Sequence, residues 1–563
     1  MRWTLKPIPE KTTVSNLAKS LGVEQPIARL LVQRGITTFD QAKTFFRPKL
    51  SDLHDPFLMK DMDKAVQRIE LALLNKERIL VYGDYDVDGT TAVAMMATYL
   101  TTKSNSVATY IPDRFDEGYG ISYKGIDYAS DNDFSLIIAL DCGVKAIDKV
   151  NYAKSKNIDF IICDHHRPGE NIPEAQAVLD PKRQDCSYPF QELCGCGVGF
   201  KLIQALGRTF NESIDDLKPY LDLVATAIGA DIVPIVGENR ILTYFGLQII
   251  NSNPRPGLQV LIQNINKKIL TITDVVFNIA PRINAAGRMK HGNYAVSLLM
   301  EPNTETAAKA AQDIETFNTD RRALDQDITT QALQQIESLN EPHRATTVVY
   351  DESWNKGVIG IVASRLTETY YRPTVVFTKS GDNLTASVRS VRGFDVYRAL
   401  QQCSHYIEQF GGHKYAAGLT LNPTNYEAFK NAFEQEVKTT LPDDLKTPEL
   451  SIDMALNLPD ITPKFYRILK QFAPFGPQNM TPTFTTNEVI ETGFGKRVGQ
   501  DSTHLKISVK QQNEPPIDCI GFGLGDKLEL TQNGAAFSIA YSVEENEWDG
   551  RVKLQLKLKD IKP

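Results

Sequence analysis

No apolar stretch in this 563-residue chain approaches the roughly 20 residues needed to span a bilayer, which excludes a helical membrane protein. The first residues, Met1-Arg-Trp-Thr-Leu-Lys-Pro-Ile-Pro, lack the apolar core of a secretory signal, so a cytoplasmic protein is expected. Seven scattered cysteines are an odd set and a poor disulfide framework, in keeping with a reducing compartment. Cys194-Gly-Cys196 has no second pair at zinc spacing. No internal repeat and no low-complexity tract is visible, which sets aside solenoids and flexible arrays. Positive charge is not in excess either. A net charge of −7 excludes indiscriminate polyanion binding, while a local basic groove remains compatible with nucleic acid.

What is present reads as an ordinary soluble composition, 42% hydrophobic and 23% charged, over a length that calls for two to four domains. Residues 14 to 46 carry a helical stripe of Leu17, Ala18, Leu21, Ile27, Leu30 and Leu31. From about 60 to 235, strands and helices alternate. Ile79–Tyr82, Leu136–Leu140 and Asp159–Cys163 are continuous apolar runs, the pattern of parallel strands buried on both faces, and a helix is predicted over Thr90–Leu100. This is a doubly wound α/β domain, whose chemistry belongs at the carboxyl ends of its strands. Residues 304 to 339 predict one long helix, or two end to end, bridging domains, followed by a second α/β segment with apolar runs at Thr347–Tyr350 and Thr374–Phe377. The last 110 or so residues alternate in short runs such as Val552–Leu558, with Asp549-Gly550 as a hairpin turn, and predict a small β domain of barrel type.

The acidic residues fall where those strands end. Asp84, Asp86 and Asp88 follow the first, Asp141 follows Leu136–Leu140, and Asp164-His165-His166 follows Phe160–Cys163. Asp231 ends the small-residue run Leu223–Ala230 and is read with them as a fourth cluster at a strand end. Singly, an aspartate in such a place is as often a helix N-cap. Asp-x-Asp-x-Asp-Gly also has the look of a calcium loop, but the glutamate that would close it is absent and position 95 is Met. Together, four or more carboxylates cannot share a pocket ionised without cations. With one or two imidazoles they suit a pair of Mn²⁺ or Mg²⁺ ions rather than zinc, a donor set for phosphodiester hydrolysis.

These residues resemble the DHH phosphoesterase superfamily, named for a triplet matching Asp164-His165-His166. The similarity runs through nearly the whole chain: Arg34-Gly-Ile36, Val81–Gly89, Pro112–Gly120, Asp141-Cys-Gly143, Asn278–Arg288, Gly357–Arg365 and Phe475–Asn479. Gly411–Gly418 matches the signature of the associated DHHA1 domain. Members usually carry His after the Trp that precedes Gly-Val-Ile-Gly, whereas this chain has Trp354-Asn355. The resemblance implies residues 1–50 as an N-terminal helical segment, 51–302 as the DHH catalytic domain and 303–342 as a connector helix. It implies 343–450 as the DHHA1 domain and 451–563 as an oligonucleotide-binding (OB-like) barrel. By motif position, Asp84, Asp86, Asp141, His165 and Asp231 would ligate metal, Asp88 would be a further ligand or a support for the loop, and His166 would touch the scissile phosphate. The activity implied is a 5′→3′ exonuclease degrading single-stranded DNA to mononucleotides, acting in repair and recombination as a monomer, with helicase and single-strand-binding proteins as partners.

Such an enzyme needs a grip on a 5′ phosphate. Arg114, Arg288 and Arg389 are candidate clamps, since guanidinium meets phosphate bidentately; Arg114 and Arg288 are read into glycine-containing loops. Ser387 and Arg389 share one face of an extended segment. Gly411-Gly412-His413 reads as a tight turn whose amides and imidazole could meet the backbone. Tyr119 and Tyr415 could stack on bases, while Phe410 packs in a core. Lys553, Lys557 and Lys559 would share one strand face, either as an electrostatic track for the strand or as solvated lysines that blunt a sheet edge. Two alternatives stand beside the exonuclease: an oligoribonuclease or cyclic-dinucleotide phosphodiesterase of the same superfamily, which needs neither connector nor barrel, and a non-catalytic replication scaffold, which would have lost ligands.

Overall fold

A computed structural model describes residues 1–512, 514–532, 534–548 and 550–563. Two compact units emerge, Leu53–Val233 with Gly237–Pro448, and Met1–Asp52 with Pro234–Val236 and Glu449–Pro563.

In the first, the strands are β1 (Arg78–Gly83), β2 (Val107–Tyr110), β3 (Phe134–Leu140), β4 (Asp159–Cys163) and β5 (Ala177–Leu179). They form an all-parallel sheet in the order β2-β1-β3-β4-β5. Ile79, Leu80, Val81 and Tyr82 are fully buried, as are Leu136 to Leu140, because helices cover both faces. One of these, α1 (Val87–Thr101), is buried along nearly its whole surface. It begins three residues earlier than the apolar run implies, so Asp88 lies in its first turn rather than in the loop, and Asp86 is its N-cap, accepting from Gly89 N at 3.1 Å. After α2 (Gly195–Thr209) comes α3 (Leu221–Ala230). The run read as ending at a strand is therefore a helix. A short continuous apolar run cannot be assigned by periodicity alone, and this one is apolar all round because the helix is enclosed.

Farther along, α4 (Ala280–Met289) precedes the connector α5 (Thr304–Ser338). This is one uninterrupted helix of 35 residues, N-capped by Asn303. Its C-terminal stripe of Ile328, Ala332 and Ile336 shares a core with Trp354, Val358 and Val362. The second sheet comprises β6 (Thr347–Tyr350), β7 (Thr374–Ser380), β8 (Asn383–Arg389), β9 (Gln409–Gly412) and β10 (Ala416–Leu421), ordered β9-β10-β8-β7-β6, with α6 (Ile359–Tyr370) between β6 and β7.

In the other unit, strands Phe484–Glu491, Phe537–Trp548, Arg551–Lys562, Ile517–Gly521 and His504–Gln511 pair in that order, and the last pairs back with the first. That closes a five-stranded barrel of the OB type. Trp548 pairs with Arg551; Asp549 of the predicted turn lies outside the described residues. The N-terminal helices are not a free-standing segment. Leu17, Ile27, Leu30 and Leu31 share one core with Phe465, Phe472 and Ile539, and strand Arg2–Leu5 pairs in parallel with Glu449–Ile452. The three barrel lysines do not share a face. A register shift between Ala540 and Tyr541 leaves Lys559 without a partner, and its Nζ turns to Thr483 Oγ1 at 2.6 Å. Lys557 stands over the exposed Phe522 ring instead.

Candidate active site

In a sheet ordered β2-β1-β3-β4-β5, the chain leaves the adjacent strands β1 and β3 in opposite directions, toward β2 and β4. The crevice between β1 and β3 is the topological switch point where such folds place ligands. Asp84 follows β1 and Asp141 follows β3. Gly89 lets α1 come this close: a Cβ there would lie 2.3 Å from the Asp84 carbonyl oxygen. Asp141 sits at φ +59°, a left-handed conformation that costs on the order of 1 kcal/mol for a non-glycine residue. A hydrogen bond from its amide to Cys163 O (2.9 Å) holds it there.

The side chains converge on His165. Its Nε2 lies 3.2 Å from Asp141 Oδ1, 3.7 Å from Asp231 Oδ2 and 3.8 Å from Asp88 Oδ2. Asp231 reaches the cluster as the C-cap of α3, not from a strand end. Asp88 is braced from an unexpected quarter: Gly195 N and Cys196 N at the start of α2 donate to its two oxygens at 2.6 and 2.7 Å. The Cys-Gly-Cys element thus serves through its amides, and all seven cysteines are free and buried. Asp84 accepts from Gly120 N through Oδ1 (3.3 Å). Asp164, the first letter of the triplet, is occupied by hydrogen bonds that anchor the loop. It accepts from Val144 N, His165 N and His166 N, and from His166 Nδ1 at 2.8 Å. Burial disfavours a charged His166 ring, but the hydrogen bond to Asp164 and its charge outweigh this and raise the His166 pKa, while Nε2 lies 3.1 Å from the Tyr119 hydroxyl.

The electrostatics are those of a cation site. Burial, then the neighbouring Asp86, pushes Asp84 up to about 8 and Asp88 up to about 6. Burial with Asp88 and Asp86 pushes Asp231 up to about 8, and Asp141 is raised well above the carboxylate range. Burial and His166 hold His165 down to about 3, a neutral imidazole able to ligate. Burial opposes ionisation of Asp164 too, yet its hydrogen bonds from His166 and the backbone hold it down to about 2. Asp84 Oδ2 and Asp141 Oδ1 are buried with no hydrogen-bond donor among the described residues. Two donor groups, Asp88–His165–Asp231 and Asp141–His165–His166, each have ligand atoms within 4.8 Å of one another. Orphaned oxygens, a carboxylate-rich donor set and neutral imidazole fit Mn²⁺ or Mg²⁺.

A second feature adjoins this cluster through Tyr85, which lies between Asp84 and Asp86. A cavity of about 220 Å³ is lined by Tyr85, Arg114, Arg288, Lys356, Ser387 and Arg389. Arg114 stacks on the Tyr85 ring. Arg288 lies in the last turn of α4, not in a loop, and donates to Gly357 O at 2.8 Å. Arg389 and Ser387 share a face of β8, with Arg389 Nη1 donating to Ser387 Oγ at 3.0 Å and Nε to Ser364 Oγ at 3.2 Å. Gly357 and Gly360 bring the N-terminus of α6 to the wall, where helix amides favour an anion. No carboxylate lines the cavity. Burial and repulsion from Arg114, Arg389 and Arg321 push Arg288 down to about 9, a cost that a bound anion removes.

His413 occupies a β-hairpin between β9 and β10, its amide donating to Ala416 O at 2.8 Å. Gly412, at φ +146°, has no room for a Cβ beside Ala417. Burial, then His166, Lys145 and Lys182, depress the His413 pKa. Tyr119 and Tyr415 are exposed, whereas Phe410 is partly buried against the core and Tyr397. Sequence reading missed the Gly195 and Cys196 amides, the anchoring role of Asp164, the Tyr119–His166 hydrogen bond, Lys356 and Ser364. Of these only Asp164 left a signal, as part of the triplet.

A parallel sheet with this cluster at its switch point, joined by a long helix to a second α/β domain, defines a DHH–DHHA1 phosphoesterase. Residues 78–228 match the DHH family N-terminal domain and residues 344–439 the DHHA1 domain. Residues 452–560 match a third family, the RecJ OB domain. The chain is 36% identical to the single-stranded-DNA-specific exonuclease RecJ of Bacillus subtilis over 565 residues, covering all of this chain and 70% of that one. It is 32% identical to the RecJ of Escherichia coli K12, over 90% of this chain and 91% of the relative. It superposes on RecJ of Thermus thermophilus in complex with Mn²⁺ with a TM-score of 0.86 and 26% identity, covering 100% of this chain and 79% of the other. The chain belongs to the RecJ family.

Proposed function

We propose that this protein hydrolyses single-stranded DNA from its 5′ end and releases mononucleotides, with two Mn²⁺ or Mg²⁺ ions. The observation that carries this reading is the carboxylate-free arginine cavity beside the carboxylate cluster, linked through Tyr85. A terminal phosphate held there sets the next phosphodiester at the acidic cluster, which is how an exonuclease counts from an end. Asp84, Asp86, Asp141, His165 and Asp231 hold the ions, with Asp88 as a further ligand beside His165 and Asp231. When bound, the ions supply Lewis acidity, making water nucleophilic near neutral pH and neutralising charge that develops on the phosphate. His166, its Nδ1 proton fixed on Asp164, contacts the scissile phosphate through Nε2. Arg114, Arg288, Ser387 and Arg389 grip the 5′-terminal phosphate, and His413 approaches the backbone from the hairpin.

The proposed domain limits are 51–302 for catalysis, 303–342 for the connector, 343–450 for the end-gripping domain and 451–563 for strand binding, with 1–50 as the helical segment packed on that barrel. Among the described residues no helix is long and apolar enough to cross a membrane. The family reading supports a monomer that acts in the cytoplasm, in repair and recombination, beside a helicase and a single-strand-binding protein. The test uses a fifty-nucleotide strand labelled separately at each end, with Mn²⁺. A 5′ label should appear at once in mononucleotide, a 3′ label only late, and blunt duplex should survive. Cleavage of pentaribonucleotides or cyclic dinucleotides with the long strand untouched would turn the assignment to a small-substrate phosphodiesterase. The RecJ OB match weighs against that alternative, and the filled ligand positions weigh against a non-catalytic scaffold.

A further inference from the structure

Arg288 lines two cavities. Besides the one it shares with Arg114 and Arg389, it bounds a second of about 210 Å³ with Ala230, Asn284, Arg321 and Ile361. This cavity abuts the metal-ligand cluster, because Ala230 immediately precedes Asp231. Its second guanidinium comes from the connector: Arg321 Nη2 donates to Asn318 Oδ1 at 2.7 Å, which fixes the side chain against its own helix. The charge there is not balanced. Asp325, a turn farther along, gives its close contact to Arg365 (2.6 Å) and stands 3.9 Å from Arg321, so one carboxylate serves two guanidiniums. Arg288 has no carboxylate partner among the described residues, and no acid lines the cavity. Two preorganised guanidiniums with an amide nearby form a receptor for a tetrahedral dianion.

We propose that this second cavity is a phosphate-dianion site, distinct from the 5′-end pocket, that receives the phosphate of a released nucleotide. The inference rests on the nuclease reading for its ligand, and it gives that reaction an exit. Arg288 is common to both cavities, so a phosphate leaving the 5′-end pocket passes to Arg321 without losing guanidinium contact, while the shortened strand takes the vacated pocket.

Isothermal titration of the full chain with 2′-deoxyadenosine 5′-monophosphate in Mg²⁺ tests this. The wild type should bind two equivalents and Arg389→Ala one. Arg321→Ala should also bind one at full strength, with the other weakened about tenfold or more. Ile361→Phe fills the cavity without changing its charge and should remove the same equivalent, which keeps the test decisive if Arg321→Ala misfolds. A single equivalent in the wild type overturns the proposal, as do two in both Arg321→Ala and Ile361→Phe, or equal binding of unphosphorylated deoxyadenosine. Inorganic phosphate separates the sources: filling of the site by phosphate alone marks the free ion as sufficient, and filling only by the nucleotide marks the product. These binding counts do not depend on strand cleavage, so a negative nuclease assay with two equivalents retained would sink the nuclease reading and leave the anion site standing.

Discussion

The Cys196 amide donates to Asp88 Oδ1 at 2.7 Å, and with the neighbouring Gly195 amide it fixes the carboxylate that faces His165. Gly195 is also the residue on which Asp141 rests: a Cβ there would lie 2.5 Å from Asp141 Cβ. Gly195→Ala should therefore fold and still displace both acids. A misplacement of this size costs about a hundredfold in cleavage, and the rise in melting temperature produced by Mn²⁺ should shrink with it. An alanine variant with wild-type rate and metal response would show that the α2 start does not position the cluster.

Asp141→Asn keeps the left-handed backbone, which asparagine tolerates well, and removes a buried charge. Hydrolysis and Mn²⁺ stabilisation should be lost. The metal-free variant should melt at or above the wild-type temperature, because burial, then Asp88, Asp86 and Asp231, makes an ionisable acid costly at this position. Circular-dichroism melts with EDTA and with Mn²⁺ check both parts.

Metal removal should make stability strongly pH-dependent. Asp84 and Asp231 are raised to about 8 in the folded protein, above the ordinary value of about 3.9. Between about pH 4 and 8 the folded state thus holds more protons than the unfolded state, and stability falls as pH rises through that window. In EDTA the melting temperature should drop across it, while saturating Mn²⁺ flattens the curve, so the metal-induced shift grows with pH. A metal-free protein that gains stability from these acids with rising pH would contradict the assignment.

Arg389→Ala removes a guanidinium held by Ser364 and Ser387. For 5′-phosphorylated strands kcat/KM should fall about ten- to a hundredfold, chiefly through KM. Strands with a 5′ hydroxyl should be affected little. An unchanged preference for the phosphate would remove Arg389 from the pocket.

Truncation after Pro448 should not yield a clean two-domain enzyme. It strips Phe465 and Phe472 from the core they share with Leu17, Ile27, Leu30 and Leu31, exposing a contiguous apolar patch. Limited proteolysis should find residues 11–46 digested early in that fragment, and its solubility should improve when residues 1–52 are removed as well.

The strands at Ile79–Tyr82, Leu136–Leu140 and Asp159–Cys163 and their terminal acids could be read from the chain, because short apolar runs alternating with helical segments fit a buried parallel sheet. Asp231 was picked out for the right cluster on the wrong scaffold, because an apolar run of that length suits an enclosed helix as well as a strand. Arg288 was placed in a loop for its nearby glycine, although Gly287 packs inside a helix against Tyr85. The support of Asp88 left no trace, since a backbone amide's direction is independent of the side chain that sequence records. The lysine track failed at Lys559 for a similar reason: a one-residue bulge reverses strand parity without any marker of its own.

By itself the sequence determined the chemistry of this protein: which donors it owns, that they follow buried strands, and that their charge demands cations. Only the tertiary structure decided that Asp88, Asp141 and Asp231 all converge on His165, and that four cations from the two α/β domains line a single cavity. Those distances follow from strand order and helix placement, which depend on burying apolar surface throughout the unit and not on any local run of residues.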